Sequence, residues 1–305
     1  MSQTNKLNKI RDFLAKIINT IKGNRLLGTI LTILSIIYPI ILISLSWTEI
    51  KKIETINPTI ILSSAILYII STFIQMLNWI LILKGQFIKI HSDMRIYFKT
   101  LLMQRLPGGF WQWVGRINLY NNNDDQSFSS NQTLHASIYE RITLIASGLI
   151  CYLIFFNRWA GIFALIIISF LLIFWRKSQY EKIWKRISLP LIQIFSYIIC
   201  WIIGGYILSI IINFVIQPQT YLIEQAIPVW SLTGIIGLIF FFLPGGLGIR
   251  ELSLTTLLAP ELTFSQSILV SLLLRVLFLA MDIIIGLGGG LILKILPAHP
   301  YREKS

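Results

Sequence analysis

Charged residues are scarce in this sequence. They make up 13% of its 305 residues, whereas a soluble globular domain has roughly 25%. The shortage is uneven, because long apolar stretches carry no charge and the charged side chains collect between those stretches. A soluble globular class is therefore excluded, and the pattern is typical of a protein for which the bilayer is the solvent.

Cysteine and histidine are also rare, with two and three copies respectively. Cys151 and Cys200 lie inside apolar stretches, and the histidines are scattered, so no metal-ligand spacing is present. The sequence shows no nucleotide-binding glycine motif with its lysine and no pairing of a nucleophile with a base. We therefore expect no metal, no cofactor and no catalytic residue, and an enzyme is less expected than a transport protein.

Acidic residues are half as numerous as basic ones, 13 against 26, and the formal net charge is +13. The basic residues flank the apolar stretches, which is typical of the cytoplasmic ends of membrane spans and of contact with anionic headgroups. Nucleic-acid binding is the alternative interpretation of such a charge, and this placement argues against it. We expect anionic or phosphate-bearing membrane lipids as partners, no nucleic acid, and a cytoplasmic N-terminus in the cell membrane. A homo-oligomer is left open.

The apolar runs have the length of transmembrane helices. Such a helix needs about 20 apolar residues, and a barrel strand only about 10 with strict alternation. The sequence predicts an all-α polytopic integral membrane protein with about seven or eight transmembrane helices. Residues 1–25 are predicted to form a basic amphipathic segment, 26–296 a single transmembrane domain and 297–305 a short tail. The predicted helical runs are 26–46, 59–83, 136–156, 160–175, 189–212, 227–243 and 265–296.

The last apolar run, 265–296, is longer than one straight span requires at a rise of about 1.5 Å per residue. We expect it to tilt, project or break. Gly286, Gly288, Gly289 and Gly290 favour a break, because glycine weakens a helix.

The string Leu-Pro-Gly-Gly occurs twice, at 106–109 and at 243–246. Proline and glycine interrupt helices, so we predict two re-entrant or broken segments, at about 96–119 and 244–260. Repeated breaks of this kind in the two halves of a transporter indicate a substrate site near the membrane midplane. We interpret the recurrence as an internal duplication, with chance as the alternative. The predicted site residues within the breaks are Pro107, Gly108, Gly109, Pro244, Gly245, Gly246 and Gly248.

An arginine follows each break, Arg116 the first and Arg250 the second. Unwound backbone inside a membrane needs protein or a water-filled cavity to satisfy its polar groups. We therefore predict that both guanidinium groups line a cavity, where their forked donors suit a phosphate. The alternative is that the breaks are interfacial loops and that both arginines snorkel to headgroups.

Other charged candidates lie within or beside the apolar runs. Arg275 lies deep in the last run, where a charge costs about 2.5–3.5 kcal/mol and is expected to face a cavity or a partner. Asp282 follows seven residues later on the same helical face. An ion pair between them, or of either one with Glu251, is the structural alternative to a substrate-facing role.

Polar residues also occur near the starts and middles of earlier runs. Glu140 and Arg141 open the run 136–156, where Glu140 could simply cap the helix, and both are retained as candidate lipid-binding residues. Gln75 and Asn78 within the second run are interpreted as polar contacts between helices.

Taken together, these motifs resemble the transmembrane region of lysylphosphatidylglycerol synthases, also described as the flippase-like domain family. The likeness runs over nearly the whole chain, and the second break with its Arg-Glu pair is its most specific part. The resemblance implies a stand-alone member without the cytoplasmic aminoacyltransferase domain, and a role in moving lipid between leaflets. The residues that carry it are Asn78-Trp79, Leu106-Pro107-Gly108-Gly109 with Arg116, Glu140-Arg141, the stretch 243–251 and Arg275.

Three functional hypotheses follow. The first is a membrane translocase that moves a phospholipid or another lipid-linked substrate between leaflets. The second is an intramembrane subunit or transferase acting on a polyprenyl-phosphate or aminoacyl lipid in cell-envelope assembly, with Glu140 and Glu251 as candidate bases. The third is a membrane scaffold that transports nothing.

Overall fold

A computed structural model describes residues 58–87, 90–105, 111–122, 128–175, 183–216, 220–240 and 249–295, with three isolated positions before residue 58. The basic segment 1–25, nearly all of the predicted run 26–46, and the tail 297–305 lie outside the described residues. So do both Pro-Gly-Gly motifs, with Pro107, Gly108, Gly109, Pro244, Gly245, Gly246 and Gly248.

All regular secondary structure within these ranges is helical, as the sequence predicts. The helices are α1 (Pro58–Lys84), α2 (Ile90–Leu101), α3 (Trp111–Asn121), α4 (Ser130–Phe156), α5 (Arg158–Trp175), α6 (Ile183–Val215), α7 (Ile223–Ile239), α8 (Ile249–Leu258) and α9 (Phe264–Ile295). A short 3-10 helix, Leu102–Arg105, continues α2.

Four of the described helices are long and apolar enough to cross a membrane: α1, α4, the part of α6 at Leu189–Val215 and the part of α9 at Phe264–Gly289. Their mean hydropathy runs from 1.6 to 2.6. Arg158–Leu171 in α5 and α7 are apolar but shorter. The chain is thus a helical protein with membrane-spanning segments, while the full count of seven or eight spans stays a prediction.

The predicted helix pair around residues 157–159 is present as α4 and α5, and its turn has a clear local cause. The α4 helix begins with a capping box between Ser129 and Gln132. It ends at Asn157, whose backbone is extended and whose side-chain oxygen accepts hydrogen bonds from the N–H groups of Trp159 and Ala160. The same asparagine therefore stops one helix and caps the next.

Tryptophans of two neighbouring helices pack on glycines of the facing helix. A β-carbon at Gly204 in α6 would lie 2.0 Å from the indole nitrogen of Trp230 in α7. A β-carbon at Gly234 in α7 would lie 2.3 Å from the ring of Trp201 in α6. Small residues let helix backbones approach closely in membranes. These two reciprocal tryptophan–glycine contacts therefore allow α6 and α7 to pack closely.

The predicted break in the last run is wrong, because α9 continues without interruption from Phe264 to Ile295. Two of its glycines serve close packing instead. A β-carbon at Gly286 would lie 2.7 Å from Leu102, and one at Gly289 would lie 2.6 Å from Phe98, whereas one at Gly288 would meet nothing within 4 Å. The glycines therefore let α2 and the 3-10 helix lie directly against α9.

We expect Gly289→Val to destabilise the protein by about 1–3 kcal/mol, because the added methyl groups overlap Phe98. Gly288→Val on the same helix is the matched control and should change stability by less than about 0.5 kcal/mol. Thermal unfolding of the purified variants in detergent measures both. Equal stability of the two variants would contradict the packing role of Gly289.

The predicted broken segment 96–119 corresponds to α2, the 3-10 helix and α3, on either side of the first Pro-Gly-Gly motif. The α2 helix packs against α3 and α9, and α3 packs against α4. The second predicted segment, 244–260, includes α8, which packs against α7 and α9. The depth of either segment in a membrane stays a prediction.

Candidate functional site

A cavity of about 250 Å³ lies between the long helices. Residues from α1, α4, α6, α7, α8, α9 and the 3-10 helix contribute to its wall, so most of the described helices meet there. Its lining residues are Tyr68, Ser71, Gln75, Gln104, Arg141, Leu144, Cys200, Trp201, Gly204, Ile207, Trp230, Gly234, Gly237, Leu238, Arg250 and Phe278.

Two of the arginines predicted from the sequence line this cavity. Arg250 lies over the ring of Trp230, with its guanidinium carbon 4.6 Å from the ring centroid, and 6.0 Å from the centroid of Phe278. Arg141 lies 5.8 Å from the ring centroid of Trp113. Aromatic faces attract cations and thereby orient both side chains.

Arg141 differs from Arg116 and Arg275, each of which forms an ion pair with a glutamate. Within the described part of the chain Arg141 has no ion pair and no hydrogen bond. Its one cation–π contact there is with the ring of Trp113. The neighbouring carboxylate, Glu140, is bound to Arg116 instead. A guanidinium group thus faces the cavity with its donors available.

Arg116 does not belong to the wall of this cavity, and its side chain is not exposed for contact with headgroups. Its side chain is 1% exposed and forms an ion pair with Glu140 at 2.5 Å. The guanidinium carbon lies between two aromatic rings, 3.9 Å from the centroid of Trp79 and 4.8 Å from that of Tyr97. The arginine therefore joins α3 to α1, α2 and α4 inside the protein.

The capping role considered for Glu140 is also wrong, because α4 begins ten residues earlier, at Ser130. Glu140 lies in the third turn of the helix, and its carboxylate is directed to Arg116. The predicted helix start at residue 136 is too late because five of the six residues 130–135 are polar.

A second polar cluster extends the Arg116 contact toward the end of α1. The indole N–H of Trp79 donates to the hydroxyl oxygen of Tyr120 at 3.0 Å, and the Tyr120 hydroxyl donates to Asp93 at 3.1 Å. Lys84 forms an ion pair with the other oxygen of Asp93. Burial raises the pKa of the Asp93 carboxyl above its ordinary value, although Lys84 and Tyr120 act in the opposite direction. Sequence reasoning missed this cluster, since nothing in the spacing of its members indicates that they meet.

Arg275 and Asp282 do not form the ion pair that their shared helical face allows. Arg275 instead pairs with Glu251 of α8 at 2.8 Å, which is the structural alternative given above. Asp282 is fully buried and accepts hydrogen bonds from the hydroxyl of Tyr68 at 2.5 Å and from the side-chain amide of Gln104 at 3.2 Å. Both donors line the cavity, whereas Asp282 does not, so Asp282 holds two side chains of the cavity wall in position.

Aromatic residues form a continuous part of the wall that the sequence analysis did not identify. Tyr68 stacks on Phe278 with ring centroids 4.8 Å apart, and Phe278 meets Trp230 edge to face at 5.5 Å. Arg250 covers the other end of this row. Aromatic residues are frequent in the apolar runs, so nothing in the sequence distinguishes these three from the others.

No family model, curated protein or solved structure matches this chain. The resemblance to the transmembrane region of lysylphosphatidylglycerol synthases therefore stays a prediction.

Proposed function

We propose that the protein binds the phosphate-bearing headgroup of a membrane lipid in this cavity and moves it between the two leaflets. The observation that carries the proposal is Arg141, a guanidinium group that faces the cavity with no ion pair or hydrogen bond among the described residues. A charge among apolar helices costs about 2.5–3.5 kcal/mol, so such residues usually serve a ligand or a partner.

The contrast between the cavity and the outer surface supports a lipid as the ligand. The face of α5 exposes large apolar side chains, among them Phe163, Ile166 and Phe170, each more than half exposed. Such a surface suits acyl chains. The cavity presents two arginines and several amide and hydroxyl groups, which suit a polar headgroup. A lipid has both acyl chains and a polar headgroup, so its passage requires both the apolar outer surface and the polar cavity.

The helix breaks predicted at the two Pro-Gly-Gly motifs agree with this proposal. Broken helices at corresponding positions of two halves surround the substrate site in several transporter folds. Arg250 follows the second motif and lines the cavity, and Gln104 precedes the first motif and lines it too. By the positive-inside rule we propose that the N-terminus faces the cytoplasm and that the protein belongs to the cell membrane.

The intramembrane enzyme receives less support from the site geometry. Its two candidate bases, Glu140 and Glu251, are each held by an arginine and do not line the cavity. A base needs to reach the proton that it removes. We therefore propose translocation and not chemistry.

Replacing the free guanidinium tests this proposal. We expect Arg141→Gln to slow lipid translocation about tenfold to a hundredfold, because a charge-assisted hydrogen bond contributes about 1.5–3 kcal/mol. The measurement uses proteoliposomes with an acyl-chain-labelled anionic phospholipid, so that the headgroup stays native, and follows the label accessible to dithionite.

Arg158→Gln is the matched control, because Arg158 is an exposed arginine at the start of α5, away from the cavity. It should translocate lipid at the wild-type rate. Equal loss in both variants, or no loss in Arg141→Gln while the wild type is active, would contradict the role given to Arg141.

A further inference from the structure

The α1 helix carries a row of polar side chains that begins in the cavity wall and continues beyond it. Tyr68, Ser71 and Gln75 line the cavity. Asn78 follows at the same spacing, and residues three or four positions apart share one face of a helix. Asn78 is 2% exposed and does not line the cavity, so the row runs on into the interior of the protein.

The α6 helix extends the cavity wall in the same way. Cys200, Trp201 and Gly204 line the cavity. Tyr197 lies one turn before Cys200 on the same face, and Gln193 lies one turn before Tyr197. The side chains of Tyr197 and Gln193 are buried and stand outside the cavity wall. Each of the two helices therefore carries polar groups past the end of the cavity.

The two rows leave the cavity in the same direction. The thiol of Cys200 donates to the carbonyl oxygen of Ser71 at 3.7 Å, which places these two residues side by side. Further along α1, Trp79 packs in one apolar cluster with Ile194 of α6. The residue numbers rise along α1 as they fall along α6, so the helices are antiparallel here. Both rows therefore lead from the cavity toward the end of α1 at Lys84.

Two side chains on these rows bury polar atoms that have no partner within the protein. Among the described residues, neither the amide nitrogen of Asn78 nor the hydroxyl of Tyr197 has a hydrogen-bond partner. Buried polar atoms are nearly always hydrogen-bonded, because an unpaired one keeps the full cost of its desolvation. The contact between helices expected for Asn78 is thus not made by its amide nitrogen. Both atoms can donate a hydrogen bond to a ligand.

Tyr197 also links this region to the main recognition group of the cavity. Tyr197 and Arg141 are close enough to interact electrostatically. By helical register Tyr197 lies about one turn beyond the contact between α1 and α6, and Asn78 about two turns, or about 10 Å, beyond it. A headgroup that leaves Arg141 in this direction therefore meets Tyr197 first and Asn78 next.

The end of α1 that these residues approach is rich in basic side chains. Residues 84–105 contain Lys84, Lys89, Arg95, Lys99 and Arg105 against one acidic residue, Asp93. By the positive-inside rule this end faces the cytoplasm. The two polar rows thus point from the cavity to the cytoplasmic leaflet.

From this arrangement we infer that Tyr197 and Asn78 form a second binding position for the phosphate-bearing headgroup, between the cavity and the cytoplasmic leaflet. The inference rests on the proposed function and specifies the route. Neutral donors bind phosphate more weakly than a guanidinium group does, so the headgroup is readily released from this position. Both side chains are no more than 2% exposed, so the route is closed here and opens by local separation of α1 and α6.

Two substitutions that remove these donors test the inference on the purified full-length protein. Tyr197→Phe and Asn78→Leu should each slow translocation of acyl-chain-labelled phosphatidylglycerol in proteoliposomes about fivefold, the effect of one lost hydrogen bond. Both should also raise the melting temperature in detergent by about 2 °C, because an unpaired buried polar atom is removed. A polar contact within the protein would give the opposite change in stability.

Tyr206→Phe is the matched control, since Tyr206 lies on the same helix, is 45% exposed and does not line the cavity. This variant should keep the wild-type rate and melting temperature. The labelled lipid should bind Tyr197→Phe and Asn78→Leu in detergent as tightly as it binds the wild type, because Arg141 is intact in both.

Wild-type rates in both Tyr197→Phe and Asn78→Leu would overturn the inference. So would a slower rate accompanied by a lower melting temperature, which indicates a structural contact. Either failure is distinct from failure of the proposed function. Loss of translocation in Arg141→Gln alone would support the headgroup cavity and exclude this route from it, whereas a wild-type protein that moves no lipid would overturn both.

Discussion

Arg116→Met is expected to destabilise the protein by about 3–5 kcal/mol, because removing one partner of a buried ion pair leaves an uncompensated charge. Arg116 is almost fully buried and Glu140 is 14% exposed, so water cannot replace the lost partner easily. The substitution also removes the guanidinium group from between Trp79 and Tyr97. Equilibrium unfolding of the variant in mixed micelles measures the loss.

The double variant Arg116→Met, Glu140→Leu distinguishes the charge effect from simple loss of packing. Removing both charges takes away the desolvated carboxylate as well, so the double variant should be more stable than Arg116→Met alone. Arg158→Met, at an exposed position, should change stability by less than about 0.5 kcal/mol. If the loss in the double variant equals the sum of the losses in Arg116→Met and in a Glu140→Leu single variant, the pair contributes nothing beyond its separate contacts.

Gly237→Trp is expected to stop translocation altogether. A β-carbon at Gly237 would lie 3.7 Å from the side chain of Arg250, which is an ordinary contact, so the backbone can accept a side chain there. Gly237 lines the cavity, and an indole ring at this position would take up much of its 250 Å³. The rate in proteoliposomes should fall to that of vesicles without protein.

Gly288→Trp provides the matched control for this filling experiment, since a β-carbon at Gly288 would meet nothing within 4 Å and the residue does not line the cavity. This variant should translocate lipid like the wild type, and both variants should elute as folded protein with similar melting temperatures. Full activity in a folded Gly237→Trp variant would mean that the lipid headgroup takes another route.

Hydropathy and local signals predicted much of the fold. The apolar runs at 59–83 and 189–212 lie within α1 and α6, and the pair at 136–175 is present around Asn157. Backbone groups must be satisfied within the chain in a bilayer, so a long apolar run can only be a helix there. Helix ends were less predictable where polar residues extend a helix beyond its apolar part, as in the first turns of α4.

The partners of the charged residues could not be predicted from sequence. Spacing along one helix suggested Arg275 with Asp282, yet Arg275 binds Glu251 and Asp282 binds Tyr68, which is 214 positions away in the chain. Such pairs depend on how separate helices pack, and a single sequence carries no record of that. Arg141 and Arg250 were identified as candidates, but only the packing separates them from Arg116 as residues of the cavity wall.

The glycines of α9 are a second case in which the packing between helices could not be predicted from the sequence. Glycine weakens an isolated helix, which suggested a break. In a packed bundle the missing side chain is used for close approach, and Phe98 and Leu102 occupy the space at Gly289 and Gly286. The intrinsic preference of the residue is overridden by the contacts that it permits.

The most direct test of the central claim is to locate the headgroup itself. A phosphatidic acid with a photoactivatable group near its phosphate is incorporated into proteoliposomes, activated, and its attachment sites are mapped by peptide mass spectrometry. Entry of the headgroup into the cavity predicts labelling of residues near Trp201 and Trp230, reduced in Arg141→Gln and absent in Gly237→Trp. Labelling confined to the exposed apolar face of α5, unchanged in both variants, would contradict the account.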